Sequence, residues 1–322
     1  MSKKTAVWLI VAAFLIVIGG IVFTGVMTML HWDFKALSTT RYETNEYTFT
    51  DSFQNVSVNT SVANVVFVPS DTDIASVVCR EQRHLNHTVT VTDGTLCVAL
   101  NDTRKWYEYL SFFNFETSKI TVALPAGAYR DLSVHTSTGN VSVPADFTFE
   151  QLDITGSTGN VHCNASCTGA MSVSLSTGHI TCNNVTAGEA LLDVTTGNIT
   201  VNGFSCQGSM RANVRTGKAN LNDVTCGSLL SDGTTGNLMM KNVLAFDILS
   251  VKRSTGNVLF ERCDADEIVI NTSTGTVKGT LVTDKIIFAE SHTGHVEVPR
   301  SATGGKCEIT TSTGDIRIEI TP

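Results

Sequence analysis

The sequence predicts an all-β protein, a parallel β-solenoid of about ten to eleven coils preceded by one transmembrane α-helix. Three observations predict this fold class. An uncharged apolar segment opens the 322-residue chain, and from residue 131 onward a Thr-Gly dipeptide recurs every 19 or 20 residues. Apolar residues alternate with polar ones on both sides of each dipeptide. The 45 Thr residues also favour strands, because β-branched side chains prefer extended backbone.

The composition excludes two broad classes of protein. Hydrophobic residues make up 42% of the chain, which is too much for an intrinsically disordered protein. The net charge is −8 and charged residues are only 16% of the chain, so a surface that binds nucleic-acid phosphates is not expected.

Residues 5–30 are predicted to form a transmembrane signal anchor. None of these 26 residues is charged, and at about 1.5 Å per residue a helix of this length crosses about 30 Å of hydrocarbon. A cleaved signal peptide would have a shorter apolar region and a small-x-small cleavage site, which this segment lacks. Lys3 and Lys4 precede the segment, so the positive-inside rule places residues 1–4 in the cytoplasm.

Everything after the anchor is then expected on the outer side of a cell membrane. Residues 31–50 read as a juxtamembrane linker and residues 51–322 as the β-solenoid. Within the solenoid, residues 75–118 read as a hairpin insertion that caps its N-terminal end, because stacked repeats otherwise expose a strand edge.

The repeat is clearest when each unit is numbered from its glycine as position 0. Position −1 is always Thr, and apolar residues fall at −7 and −5 and again at +2 and +4, so the inward parity flips at the dipeptide. A glycine allows the positive φ that such a corner requires. The predicted structural turn glycines are Gly139, Gly159, Gly178, Gly197, Gly217, Gly236, Gly256, Gly275, Gly294 and Gly314.

Each unit is therefore expected to be one coil, stacked on the next at about 4.8 Å. Asn recurs at position +1, which predicts a ladder of side-chain hydrogen bonds along the corner. A degenerate first coil lies around Ala63, where the corner glycine is missing. The last unit ends two residues before the C-terminus without a cap, so its strand edge permits end-to-end self-association.

The chain also resembles a known family. The segment from Phe53 to Ser70 has the form Phe-x-x-Val-x-Val-x-x-x-x-Ala-Asn-Val-x-Phe-x-Pro-Ser, Ile-x-Val-x-Leu-Pro follows at 120–125, and Ser-Thr-Gly-Asn-Val is then reiterated. These motifs resemble the bacterial putative-adhesin family of β-strand-repeat domains, over about residues 50–322. The resemblance implies a cell-envelope protein, similar in some cases to components encoded beside envelope-stress regulators, and implies no catalytic residues.

No catalytic, cofactor or metal site is predicted. Solenoid enzymes that cut polysaccharides need clustered carboxylates, but Asp153, Asp193, Asp232 and Asp315 form no column in consecutive coils. Zinc sites need four converging ligands, and only Cys163 and Cys167 approach the required spacing. Cys163 and Cys182 instead share the buried position +4, where they read as small apolar residues.

Two further features are candidates. Cys79 and Cys97, across the predicted hairpin from each other, form the candidate disulfide. Six aromatic residues lie within one ten-residue stretch of the cap insertion. They form the candidate interaction patch, because aromatic residues dominate binding hot spots. It comprises Trp106, Tyr107, Tyr109, Phe112, Phe113 and Phe115.

These observations favour a non-enzymatic, membrane-anchored, extracytoplasmic module for cell-envelope adhesion, interaction or scaffolding. Its expected partners are the membrane, through a single span, and an envelope glycan or another envelope protein. A regulatory accessory of an envelope-stress sensing system is the alternative, and a polysaccharide-active enzyme is a third hypothesis.

Overall fold

The computed structural model describes residues 3–33, 42–106 and 117–321. It confirms the predicted parallel β-solenoid behind one helix, α1 (Lys3–Met29). Adjacent coils are in register at the dipeptide, where Thr196 pairs with Thr216 and Gly197 pairs with Gly217.

Six strands build the N-terminal part of the solenoid. They are β1 (Tyr42–Phe49), β2 (Asn55–Ser70), β3 (Ala75–Gln82), β4 (Leu85–Thr92), β5 (Thr95–Asp102) and β6 (Ser118–Pro125). The regular coils contain β7 (Gly127–Thr138), β8 (Val141–Val143), β9 (Phe147–Thr158), β10 (Val161–Cys163), β11 (Ser166–Cys167), β12 (Ala170–Ala187), β13 (Glu189–Cys206), β14 (Ser209–Cys226), β15 (Ser228–Thr235), β16 (Leu238–Ala245), β17 (Ile248–Thr255) and β18 (Val258–Cys263). The last coils contain β19 (Glu267–Thr274), β20 (Val277–Leu281), β21 (Lys285–Thr293), β22 (Val296–Glu297), β23 (Gly305–Thr313) and β24 (Ile316–Ile320).

The interior is a column of apolar side chains contributed by every coil. Ile180 and Ile199, both at position +2, are fully buried on top of one another. Cys163 and Cys182 occupy the buried position +4 as predicted, and burial raises the pKa of the Cys163 thiol to about 12. These thiols therefore behave as small apolar side chains within the core.

The corner at position 0 depends on glycine. All ten repeat glycines have φ between 126° and 158°, a region that other residues rarely adopt. A Cβ atom added to Gly197 would overlap the carbonyl oxygen of Gly178 in the preceding coil. Ala63 in the first coil is not among the positive-φ residues. On one side of β2 it pairs with Ser118 at the start of β6, and on the other side its carbonyl group lies against the Thr138-Gly139 corner.

A second corner lies at position +6, and the sequence analysis missed it. The residues there have φ between 51° and 70°, the left-handed region that Asn, Asp and Gly tolerate best. They are Asn184, Gly203, Asp223, Asn242 and Arg262. This corner separates the strand after the dipeptide from a short third side that returns the chain to the next coil.

Two asparagine ladders run along the stack. At position +1 the expected ladder is confirmed: the Asn140 side-chain oxygen accepts the backbone N–H of Asn160 at 2.8 Å, and Asn257 accepts that of Thr276 at 2.9 Å. A second ladder at position +5 was not predicted. There the Asn202 amide donates to Asn183 and the Asn222 amide donates to Asn202, each at 2.9 Å.

The N-terminal part covers the outer edge of the first coil. The two halves of β2 pair in parallel with β5 and β6, and β3 then adds antiparallel to β6, while β4 adds antiparallel to β5. Strand β1 pairs antiparallel with β3 along its full length. The expectation of a linker over 31–50 is therefore wrong for residues 42–49, which alternate weakly in polarity but still complete the cap.

The order of the last coils also differs from the expected consecutive stacking. Strand β23 pairs with β19 on one side and with β21 on the other, and β24 lies likewise between β20 and β22. The final coil is thus inserted between the two coils that precede it in the chain. The open edge belongs to β21 and β22, and the expectation that the last strand forms it is wrong.

A buried ion pair helps to hold this end together. The Lys285 ammonium of β21 lies 2.6 Å from the Asp264 carboxylate, and its side chain is 6% exposed. The Asp264 side chain is 14% exposed. On the inserted strand, Gly305 lies between Lys285 and Asp266, and a Cβ atom there would overlap the carbonyl oxygen of Asp266.

We expect Gly197→Ala to destabilise the solenoid by more than about 2 kcal/mol, because the new Cβ combines a strained φ with the overlap on Gly178. Gly127→Ala is the matched control, since nothing lies within 4 Å of its added Cβ. Urea unfolding of the full chain in detergent, followed by circular dichroism, measures both. Equal midpoints for the two variants would contradict the stacking argument.

We expect Lys285→Met to loosen the terminal coil by about 3–5 kcal/mol, because Asp264 is left as an unpaired, largely buried charge. Hydrogen exchange of the β21 amides measures this local opening. The control is Lys306→Met, which removes an exposed ion pair with Glu308. Its β21 amides should exchange as in the native protein.

Candidate functional site

An open groove of about 570 Å³ runs along the face that precedes the dipeptide. We call it the polar groove. It spans six coils, and outward side chains at positions −4 and −2 form its walls, while residues at position −3 form its floor. The walls are Asp193, Asn213, Asp232, Lys252, Asn271, Thr310, Thr195, Arg215, Thr234, Ser254 and Ser273, and the floor is Val194, Gly233, Arg253 and Thr272.

A buried cation lies in the floor of the polar groove. Arg253 is only 4% exposed, and its guanidinium extends across Gly233, where any side chain would collide with it. Nη2 donates to the Ser231 hydroxyl at 2.8 Å and Nη1 donates to the Val214 carbonyl at 3.4 Å. Burial lowers the pKa of Arg253, and the charge of Asp232 opposes that shift.

Two polar atoms of the floor have no hydrogen-bond partner in the described part of the chain. They are Arg253 Nε and Thr272 Oγ1, both fully buried. Buried donors and acceptors are nearly always satisfied by protein or by ordered water. We therefore expect an ordered water molecule beneath the floor to bond to each of them.

The walls carry acidic and basic side chains, and those at the same repeat position are aligned from coil to coil. Asp193 pairs with Asn213, and the Asp232 N–H donates to the Asn213 side chain at 3.3 Å, so these residues are consecutive rungs. Asp193 and Asp232 are thus two coils, or about 10 Å, apart. That both carboxylates line one groove was not predicted, because they lie two coils apart and form no column in consecutive coils.

A second, smaller groove of about 420 Å³ lies on the face that follows the dipeptide. We call it the apolar groove. Met239 and Leu259 line it, together with Gly279, where the absence of a side chain leaves room for the Phe260 ring. Its rim is charged, with Lys241 3.2 Å from Glu261.

The cap encloses a buried polar cluster. His87 Nδ1 lies 2.6 Å from a Glu81 carboxylate oxygen and His87 Nε2 lies 2.9 Å from the Thr60 hydroxyl. The other Glu81 oxygen accepts from the Asn45 amide at 2.8 Å. Cys79 is adjacent, and desolvation raises the pKa of its thiol to about 12, with a further contribution from Glu81. The sequence analysis missed this cluster because its residues lie on four strands.

The candidate disulfide is not formed. Cys79 and Cys97 are both free thiols. The Cys79 side chain on β3 points into the core, and the residue pairs with Asn45 on one side and Ile120 on the other. Cys97 of β5 instead alternates with the buried Leu96 and Val98, so its side chain faces outward. The predicted hairpin is β4–β5, and Cys79 lies outside it on β3, so the two cysteines are on different strands and on different faces.

The structure describes only one of the six residues of the aromatic candidate patch. Trp106 is 77% exposed. The remaining candidates, Tyr107, Tyr109, Phe112, Phe113 and Phe115, lie outside the described residues. The patch therefore stays a prediction.

Helix α1 is long and apolar enough to cross a membrane over Lys4–Met29. Large side chains such as Trp8 and Ile16 are exposed along it, unlike those of a helix packed in a soluble core. Membrane anchors and signal sequences share these properties.

We expect Ser231→Ala to destabilise the protein by about 1.5–3 kcal/mol, because the buried Arg253 guanidinium loses its best acceptor. Adding Arg253→Met to that variant should restore most of the loss, since the cation is then gone. Urea unfolding of the single and double variants measures this coupling. A double variant as unstable as Ser231→Ala alone would contradict the assignment.

Comparison with known proteins gives one family. The sequence model of the family described as Toastrack DUF4097 matches residues 53–215 and 208–322. Curated proteins give no match.

Solved structures with similarity to the chain include three bacterial proteins, each with a TM-score of 0.47. A putative adhesin from Parabacteroides distasonis is 15% identical and covers 76% of this chain and 97% of its own. A putative adhesin from Bacteroides fragilis is also 15% identical, and the match covers 74% of this chain and 97% of the adhesin. A putative lipid binding protein from Parabacteroides distasonis is 17% identical, and the match covers 75% of this chain and 95% of that protein.

Proposed function

The chain belongs to the Toastrack DUF4097 family, and we propose that it is a membrane-anchored, extracytoplasmic and non-catalytic binding module of the cell envelope. The polar groove is the observation that carries this proposal. It presents charged and hydrogen-bonding side chains from six stacked coils on a rigid backbone, which suits recognition of an extended polar ligand.

The N-terminal helix supports the membrane-anchored part of the proposal. Lys3 and Lys4 precede the apolar span and residues of mixed charge follow it, so the solenoid would lie outside the cytoplasm. A module attached in this way would act at the outer surface of the membrane, where envelope polymers are its nearest partners.

The chemistry of the groove favours an envelope glycan as the ligand. Asp193, Asn213 and Asp232 follow one another at the coil spacing, so a polymer laid along the stack meets a carboxylate or amide at every rung. Such groups pair with sugar hydroxyls, and Arg215 and Lys252 add cations for acidic sugars.

A panel of soluble envelope polysaccharides tests this proposal, with the full chain held in detergent. We expect Asp232→Ala to weaken binding of the preferred glycan about 10-fold, the value of one charge-assisted hydrogen bond. Asp153→Ala is the matched control, because Asp153 is an Asp of the same face outside the groove. Equal loss in both variants would contradict binding in the groove, and steady cleavage of the glycan would favour the enzyme hypothesis.

The apolar groove favours a second candidate, a regulatory accessory that binds a membrane protein. An exposed Met239 beside Leu259 within a charged rim resembles a small protein-binding surface. A photo-crosslinking residue at 239 in cells tests it. Capture of one membrane protein, abolished by Leu259→Asp, would support this role, and no specific adduct would contradict it.

A further inference from the structure

The buried cluster in the cap has the composition of a transition-metal site. Cys79 and Glu81 lie two residues apart on the inward face of β3, and His87 lies on the inward face of β4. One potential ligand atom from each lies within 4.8 Å of the others, and all three side chains are buried. Ligand atoms on one tetrahedral ion lie about 3.3–3.6 Å apart. Binding would therefore separate His87 Nδ1 from the Glu81 oxygen, now 2.6 Å away, and bring the Cys79 thiol closer to both by side-chain rotation.

The residues around the cluster are placed as they are around bound metals. A metal-binding imidazole usually donates its other ring N–H to a fixed acceptor, and the ligating carboxylate is held by a hydrogen bond of its own. Here His87 Nε2 faces the Thr60 hydroxyl, and the Asn45 amide donates to the Glu81 oxygen that His87 does not contact. His87 Nδ1 and the other Glu81 oxygen are left facing each other and Cys79.

The charge of the loaded site also fits a dication. Zinc-class ions are bound by a thiolate, a carboxylate and a neutral imidazole, so the thiol proton and any proton on Nδ1 leave as the ion enters. Two anionic ligands and one neutral ligand around a divalent ion sum to zero, so no uncompensated charge is buried.

We propose that Cys79, Glu81 and His87 bind one zinc-class divalent transition metal ion, with water as its fourth ligand, and that this ion fastens the cap onto the first coil. The mixed sulfur, nitrogen and oxygen donors select zinc, cobalt or a similar ion over magnesium and calcium, which take oxygen ligands. The ion joins β3 to β4, and through Thr60 it also ties both strands to β2. The site is independent of the polar groove.

Full-length protein in detergent, treated with a chelator and then titrated with Co²⁺ or Zn²⁺, tests the proposal. We expect one ion per chain by elemental analysis, a thiolate-to-cobalt absorption band, and a higher melting temperature with Zn²⁺. Cys79→Ser should remove the band, and His87→Gln should abolish equimolar binding. Cys97→Ser is the matched control, because that thiol faces outward on the neighbouring strand β5, and it should bind as the native chain does.

Thr60→Val separates a metal site from a simple buried ion pair. It keeps all three ligands and removes only the acceptor for Nε2, so metal affinity should fall about 10- to 100-fold while one ion still binds. Native protein that binds no equimolar metal would overturn the proposal directly. A cobalt band that persists in Cys79→Ser would overturn it as well, since the thiolate would then come from elsewhere.

Discussion

The close approach of backbones at the Thr-Gly corner is the constraint on which the rest of the solenoid depends. Coils stack at about 4.8 Å, and at that spacing the carbonyl oxygen of one corner occupies the place that a Cβ atom of the next would need. Glycine at position 0 satisfies both this contact and the positive φ. Once the corners align, the inward columns, the Asn ladders and the walls of both grooves follow in register.

Much of this fold could be predicted because the constraint repeats in the sequence. The glycine column and the change of apolar parity define a coil whichever unit is inspected. Features that occur once leave no such pattern. Strand β1 is a cap strand with a largely exposed face, so its alternation is weak, and the second corner at position +6 is filled by four different residue types, including Arg262. The coil exchange near the C-terminus depends on strand partners, which no local pattern encodes.

The candidate sites were difficult to predict for the same reason. Arg253, Lys285 and the His87–Glu81 pair are buried ionisable groups in a mostly apolar interior, and none of them recurs from coil to coil. The Arg253 guanidinium extends over Gly233, Lys285 pairs with Asp264, and His87 contacts Glu81 and Thr60 in the cap. Burying such groups costs desolvation energy, so each of them needs its own set of partners. Sequence spacing alone identifies the charged residue but not the acceptors around it.

The exchanged order of the last coils has a consequence for biosynthesis. A simple solenoid can add coils at its growing end as the ribosome delivers them. Here β19 and β21 are made before β23, yet they become neighbours of it rather than of each other. A nascent chain that stops before Gly305 therefore lacks the strands that pair with β19 and β20 on one side and with β21 and β22 on the other. These four strands gain their native partners only when residues 305–320 arrive, so we expect a truncated product to be open to quality-control proteases there.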